Sequence, residues 1–413
     1  MNIVVCGKLT PNPDRILDED WAQFAPEETY GYAGTDWGCF DQAALEQGLR
    51  LKEAAQTCGQ AAECIALTLA DHVPAGMAQQ LYAAGYDRVI CLEAPRREFC
   101  PDWVGRQLAE KAKALGADIV LTGAQAGHAE TGLVPFWLAE ELQWPIAPDT
   151  ETVDLMDGGL HVQCRKPEGL VQRRLPLPVV ISVGSSPLVL RCATLRARMQ
   201  CRGKQAELCP GTSLPPDRLP ALQRPNTGRV CQMLHLSEDS AQETVLAVVR
   251  SALHTEGQTA PMQAERAMPL PSTLWVQPCP RGASDEAALL SAYDAAEPAL
   301  TLLPDTAEGR RLAVHLAAKR QLPCLSQMQI RDCAEGQIRL SKRVCSANLE
   351  WNATLPLPAV LTIPLQDAPN LPAEACVTLP LRQDASPEAM LTPTRSEERR
   401  VGKKCRSRWS PYH

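Results

Sequence analysis

Asp118 to Gln143 reads D-I-V-L-T-G-A-Q-A-G-H-A-E-T-G-L-V-P-F-W-L-A-E-E-L-Q. Asp118 to Thr122 is a short apolar run with β-branched residues, the pattern of a buried strand. Gly123, Gly127 and Gly132 punctuate the loop that follows, where the backbone turns sharply or approaches a ligand closely. Thr131 opens an amphipathic helix carrying Leu133, Val134, Phe136, Trp137, Leu138 and Leu142. A strand that ends in a small-residue loop at a helix N-terminus leaves backbone N–H groups free, and these attract anions. The carboxyl ends of strands are also where open α/β sheets bind ligands. Taken alone, the loop reads more readily as an ordinary strand-to-helix turn with no ligand.

Upstream, Asn2 to Lys8 is a first strand, followed by a polar loop up to Cys39. Asp41 caps a long helix whose apolar positions Ala44, Leu45, Leu49 and Leu51 form a core-facing stripe. Ala62 to Ala70 and Arg88 to Glu93 are further strands. Helices over Ala75 to Ala84 and Asp102 to Leu115 end at Gly85 and Gly116. Strands alternating with helices indicate a doubly wound, Rossmann-like parallel sheet of the α/β class, with its switch point beside the loops of the first and fourth strands. Downstream of Pro145 the pattern alternates from Thr150 to Arg174 around Asp157-Gly158-Gly159, a hairpin signal. Val179 to Val183 is another strand, and Pro187 to Gln200 a loop entering a basic segment. Arg191, Arg196, Arg198 and Arg202 there read as a solvated face rather than an anion patch.

A chain of 413 residues has room for two to three domains. Its 45% hydrophobic and 22% charged residues are those of a globular protein. No run of about 18 apolar residues suggests a membrane span, and the first residues read as a strand rather than a secretion signal. The 17 cysteines include no C-x-x-C pair, so reduced, mostly buried thiols and a cytoplasmic location are expected. Arg395 to His413 looks like the conceptual translation of a sequencing-adapter oligonucleotide, and the natural chain is expected to continue past about Thr394. That tail holds seven Lys/Arg and two Asp/Glu of the chain's 41 and 48, so without it the net charge is −12. Such acidity argues against nucleic-acid binding.

Asn2 to about Arg202 resembles the beta subunit of electron transfer flavoproteins. D-Q-A-A-L-E-Q-G-L-R-L-K-E looks like the family's D-E-x-A-L-E-E-A-L-R-L-K-E helix. G-A-Q-A-G-H-A-E-T-G is similar to its G-x-Q-A-x-D-G-D-T-x loop, and L-R-C-A-T-L-R-A-R-M to its P-R-Y-x-S/T-L-x-x-I-M segment. Leu274 to Ile363 is similar, more weakly, to the N-terminal domain of the alpha subunit. The resemblance implies two related α/β domains in tandem: 1–209 beta-like, 210–228 a Pro-rich linker, and 229–366 alpha-like. Residues 367–394 would be a further linker or the start of a truncated domain.

The resemblance also implies a nucleotide pocket for AMP or FAD. Its lining would be Cys6, Gly7, Gly38, Cys39, Phe40, Asp41 and Leu69, with Gly123, Ala124, Gln125, Ala126, Gly127, His128, Ala129, Glu130 and Thr131. Backbone groups of Cys6 and Leu69 would read the adenine edge, and the loop N–H groups and Thr131 would hold phosphate. The redox FAD is expected mainly from an alpha-type C-terminal domain, whose Gly/Ser-rich signature does not occur before the tail. An alpha-type subunit or domain and acyl-CoA or other dehydrogenases are the implied partners. Leu195 matches the apolar anchor of the partner-recognition loop, or else packs under its own loop.

The chain departs from the family pattern at Gly38-Cys39, where the family has Asn-Pro, and at His128, Glu130 and Leu133. AMP, FAD and an empty pocket therefore all stay open. An ATP pyrophosphatase would need S-G-G-x-D-S after the first strand, where this chain has G-K-L-T-P-N-P-D. A nucleotide-binding regulatory module without redox activity is the alternative. No cysteine has a paired histidine at recognisable spacing, and His72, His128 and His315 lack metal-ligand spacing.

Overall fold

The computed structural model describes residues 1–212 and 270–380 apart from 13–14, 18–19, 21–32, 95–99, 127–129, 157–158, 167–168, 185, 280–282, 345–348 and 368–371. Beyond these it describes only 221–223, 245–246, 382 and 389–391. The adapter-like residues 395–413 and most of the expected linker 210–228 fall outside the described residues.

β1 (Asn2–Cys6) is followed by an antiparallel pair, β2 (Leu9–Pro11) and β3 (Thr35–Trp37), and then by α1 (Cys39–Thr57). β4 (Glu63–Ala70), α2 (Ala75–Ala84), β5 (Arg88–Glu93) and α3 (Pro101–Ala114) extend one wing of the sheet. β6 (Ile119–Gly123) and α4 (Val134–Leu142) begin the other. β7 (Ile146–Met156), β8 (Gly159–Lys166) and β9 (Gly169–Leu175) form an antiparallel meander before β10 (Val179–Val183), α5 (Leu195–Gln200) and β11 (Glu207–Pro210). The chain winds outward from β1 to β4 and β5, then crosses to β6 and β10 on the opposite side. The order therefore reverses between β1 and β6, the expected switch point. The sheet is mixed rather than wholly parallel, because β8 and β9 add antiparallel strands beyond β7. Their half-buried alternation suits strands with one solvated face.

The second half contributes β12 (Ala221–Gln223), β13 (Thr273–Gln277), α6 (Glu286–Ala296), β14 (Leu300–Pro304), α7 (Ala307–Arg320) and β15 (Cys324–Ser326). Three antiparallel strands, β16 (Gln329–Ala334), β17 (Gln337–Val344) and β18 (Leu349–Pro356), precede β19 (Ala359–Ile363). β20 (Cys376–Thr378) joins the second sheet, and β21 (Ala389–Leu391) pairs with β9 of the first. The parallel order β15-β19-β14-β13 repeats β7-β10-β6-β1. In both halves a helix ends on a left-handed glutamine, Gln143 or Gln321, two residues before a proline. Both also reach the last of these strands through L-P-L-P, at Leu175–Pro178 and Leu355–Pro358. The two halves are built on one plan.

Successive residues of a strand face opposite sides, and the first sheet shows it. Ile3, Val5, Leu121 and Ile181 pack towards Leu45 and Leu49 of α1, while Val4, Val120 and Val180 pack with Leu108 and Leu138 of α3 and α4. A further core joins the halves: Leu133, Phe136 and Trp137 bury against Leu312 and Leu316 of α7. Each such side chain contributes roughly 1.5–3 kcal/mol by leaving water. Ile16 and Ala33, from the connection between β2 and β3, pack into the core of the second half. No helix among the described residues is long and apolar enough to cross a membrane.

α3 and α4 touch at Gly105, where a Cβ would lie 2.6 Å from Trp137 Cβ and 3.1 Å from the Leu138 nitrogen. Backbone cannot swing aside as a side-chain tip can. Gly105→Ala should therefore lower stability by about 1–3 kcal/mol through overpacking. A urea midpoint matching that of the wild type would show that the helices separate freely.

Candidate functional site

Three segments meet at the carboxyl edge of the first sheet. Cys6 ends β1 opposite Leu67 of β4 and Thr122 of β6. The Gly7 N–H donates to the Leu67 carbonyl at 3.0 Å, and β4 runs on to Ala70 beyond that point, carrying Leu69. Trp37 lies against Gly7, where a Cβ would stand 3.1 Å from the indole ring.

The sequence reading makes Asp41 the cap of α1. The helix instead begins at Cys39 with Gly38 as its cap residue, and Asp41 lies inside the first turn, buried. Its carboxylate reaches across to accept the Lys8 N–H at 3.2 Å, with a second hydrogen bond from the Gly123 backbone. Gly123 is required by this approach, because a Cβ there would lie 2.5 Å from Asp41 Oδ1 and 3.0 Å from both Phe40 Cβ and the Asp41 nitrogen. Burial pushes the Asp41 carboxyl up to about 7, against the opposing hydrogen bonds from Lys8 and Gly123. Burial, and then the neighbouring Asp41 charge, raises the Cys6 thiol far above its ordinary range, so Cys6 is no nucleophile. The Thr122 hydroxyl is buried with no hydrogen-bond partner among the described residues.

The loop after β6 is held from two sides. The Ala124 N–H donates to the Val183 carbonyl at 2.8 Å, and Ala124, Gln125 and Ala126 are half-buried. Gly127, His128 and Ala129 lie outside the described residues. Glu130 takes a left-handed backbone with φ of 50° and donates its N–H to the Ala126 carbonyl at 3.1 Å. α4 starts at Val134, not Thr131, and Leu133 is its cap residue. Thr131 is buried before the helix, and its carbonyl accepts from the Ser326 hydroxyl. Lys342 donates to the Glu130 carbonyl at 2.6 Å, and Arg310 lies against Gly132. No local motif marks Ser326, Arg310 or Lys342, because they reach the loop only through the packing of the two halves.

The segment 187–200 is not all loop, since Leu195–Gln200 forms α5 with Thr194 accepting the Ala197 N–H at 3.2 Å. Leu195 is 75% exposed and Met199 67%, so Leu195 does not pack under its own loop. Arg191 is not a solvated charge: it pairs with Glu46 at 2.9 Å and also with Glu53, both on α1. Arg196, Arg198 and Arg202 are exposed.

Comparison with known proteins adds the family. Residues 39–205 match the electron transfer flavoprotein domain. A putative electron transfer flavoprotein subunit of Escherichia coli, YgcR, is 29% identical over 191 residues, covering 44% of this chain and 71% of that protein. Electron transfer flavoprotein subunit beta of Homo sapiens is 31% identical over 181 residues, covering 41% of this chain and 66% of that protein. The Dictyostelium discoideum beta subunit is 29% identical over 169 residues, covering 41% and 65%. The chain thus spans just under two thirds of each beta subunit's length. The site stands on an α/β fold whose residues 39–205 match the electron transfer flavoprotein domain. That region is similar to electron transfer flavoprotein beta subunits.

Asp41 makes a pH test possible. A carboxyl whose folded value is raised from 3.8 to about 7 lets the folded state hold the proton more tightly than the unfolded state does. Its contribution is complete below about pH 4 and is lost as pH rises towards 7, on the order of 4 kcal/mol in all. Asp41→Asn should flatten the fall in unfolding free energy between those pH values, measured by urea denaturation. An unchanged slope would mean that Asp41 is ionised in the folded protein throughout.

Proposed function

We propose that this chain is a beta-type electron transfer flavoprotein component joined to an alpha-type N-terminal domain. It binds AMP or FAD at the β1/β6 edge and works as a cytoplasmic carrier between dehydrogenases and an acceptor. The observation that carries the reading is the convergence of Cys6, Asp41 and Gly123 at the switch point of an electron transfer flavoprotein domain. The residues present fit a nucleotide: among the described residues Thr122 offers a buried hydroxyl without a partner, and the glycine at 123 lets the start of α1 close against the end of β6. Backbone N–H groups of Gln125, Ala126 and Thr131 would hold phosphate, while those of Ala124 and Glu130 brace the loop through the Val183 and Ala126 carbonyls, with Cys6 and Leu69 at the adenine.

FAD supplies, when bound, the one- and two-electron chemistry that no side chain here provides. Its main site is expected on an alpha-type C-terminal domain, so this chain's contribution is to bind, orient and dock. Leu195 and Met199 on α5 are exposed apolar groups with Arg196, Arg198 and Arg202 close by in sequence. An apolar anchor with basic neighbours suits brief docking to an acidic dehydrogenase surface, since steering raises the encounter rate and a small contact releases quickly.

Two measurements test this reading. Mass spectrometry of the nucleotide released from purified protein should find AMP or FAD, and a protein carrying neither would remove the pocket assignment. Leu195→Ala, in the complete flavinated protein, should slow flavin reduction by the partner dehydrogenase. Its stability should stay within about 0.5 kcal/mol, because the side chain is on the surface. Normal electron acceptance by that variant would place docking elsewhere.

A further inference from the structure

The second half holds the exit of the candidate phosphate loop at three consecutive residues. Lys342 on β17 is only 6% exposed and donates its ammonium to the Glu130 carbonyl at 2.6 Å. The Ser326 hydroxyl, at the end of β15, donates to the Thr131 carbonyl. Arg310 on α7 closes over Gly132, whose φ is +60° and where a Cβ would lie 2.8 Å from Nη1. Arg310 is itself committed: it pairs with both oxygens of Asp305 at 2.7 Å, and Asp305 also accepts from Gln327 at 2.8 Å and Thr362 at 2.9 Å. The entrance of the loop is held differently, by Asp41 and by the Val183 carbonyl. Lys342 is therefore a cation that bonds directly to the loop's exit.

We propose that Lys342 is a positioning residue for nucleotide binding: its ammonium fixes the backbone turn at Glu130–Gly132 and adds positive charge beside bound phosphate. This rests on the nucleotide reading above. A carbonyl clamp alone would need no charge, and a buried ammonium is a costly way to supply one. The expense is recovered when an anion occupies the loop, because a cation in a partly desolvated site attracts phosphate more strongly than it would in water.

Among the described residues the charged groups that face Lys342 are Glu130 of the loop, Asp305 at the end of β14 and Arg310 of α7; Asp149, the left-handed residue within β7, faces Arg310 in turn. Burial lowers the Lys342 ammonium to about 8, Arg310 acts in the same direction, and Glu130 and Asp305 oppose them. Bound phosphate would favour the charged form, so nucleotide affinity and protonation of Lys342 are linked. The linkage has a definite sign: affinity falls as pH rises past about 8 and the charge is lost.

The test is isothermal titration of the full chain with AMP, and separately with FAD, from about pH 7.5 to 9.5, a range above the titration of Asp41. In the wild type the dissociation constant should rise about tenfold across that range, the order expected for losing a hydrogen bond from a charged donor. Lys342→Arg, which keeps its charge, should bind with little pH dependence. Lys342→Met should bind about tenfold more weakly at the lowest pH and show no further fall. A flat wild-type profile overturns the inference, as does a Lys342→Met protein that binds as the wild type does; in either case the nucleotide reading survives. Wild-type protein that binds neither AMP nor FAD at any pH removes both. If Lys342→Met does not fold, the wild type against Lys342→Arg decides the matter alone.

Discussion

The Asp41 carboxylate sits between two backbone turns, accepting the Lys8 N–H at 3.2 Å and a hydrogen bond from the Gly123 backbone. These turns end β1 and β6, the strands on either side of the switch point. Were the turns free to part, the edge that gathers Cys6, Phe40 and Gly123 would open. The constraint works in both directions. Asp41 can reach Gly123 only because position 123 lacks a Cβ, and it can stay buried only because backbone donors surround it. The raised carboxyl value shows that the compensation is incomplete, which is why the edge should respond to pH.

The two halves meet through one apolar seam and a rim of charge. Leu133, Phe136 and Trp137 lie in the same core as Leu312 and Leu316. Around them His315 Nδ1 lies 3.1 Å from Glu140, and Lys319 lies 3.3 Å from the other oxygen of the same carboxylate. The apolar contacts supply most of the attraction, while the charged rim sets the register of α4 against α7. That register brings Ser326, Arg310 and Lys342 to the loop at residues 130–132. Loop geometry in the first half is in this way a property of both halves.

The α5 segment shows a similar division of labour on a smaller scale. Arg191 is fastened to Glu46 and Glu53 of α1, and four residues later Leu195 stands out in solvent. A rigid base with an exposed apolar tip loses little entropy on docking, because the backbone is already ordered.

Much of the fold was legible in the chain's own pattern. Short β-branched runs such as Ile119–Thr122, alternating with helices that end at Gly85 and Gly116, report local preference and burial, and these act over a few residues. The loop after β6 was legible for the same reason, although the helix that follows it begins at Val134 and not at Thr131. Three things were not. Asp41 resembles an N-cap in any short window, and only the approach of Gly123, 82 positions away in sequence, turns it inward. Arg191 resembles a solvated cation until Glu46 and Glu53 are brought beneath it. Lys342 has no signature at all, because the carbonyl it holds belongs to Glu130 in the other half of the molecule. Periodicity and turn chemistry determined where strands, helices and loops lie, since each depends on neighbours along the chain. Which polar groups are buried, and against what, was decided only when distant segments packed, because a hydrogen bond or ion pair depends on distance in space.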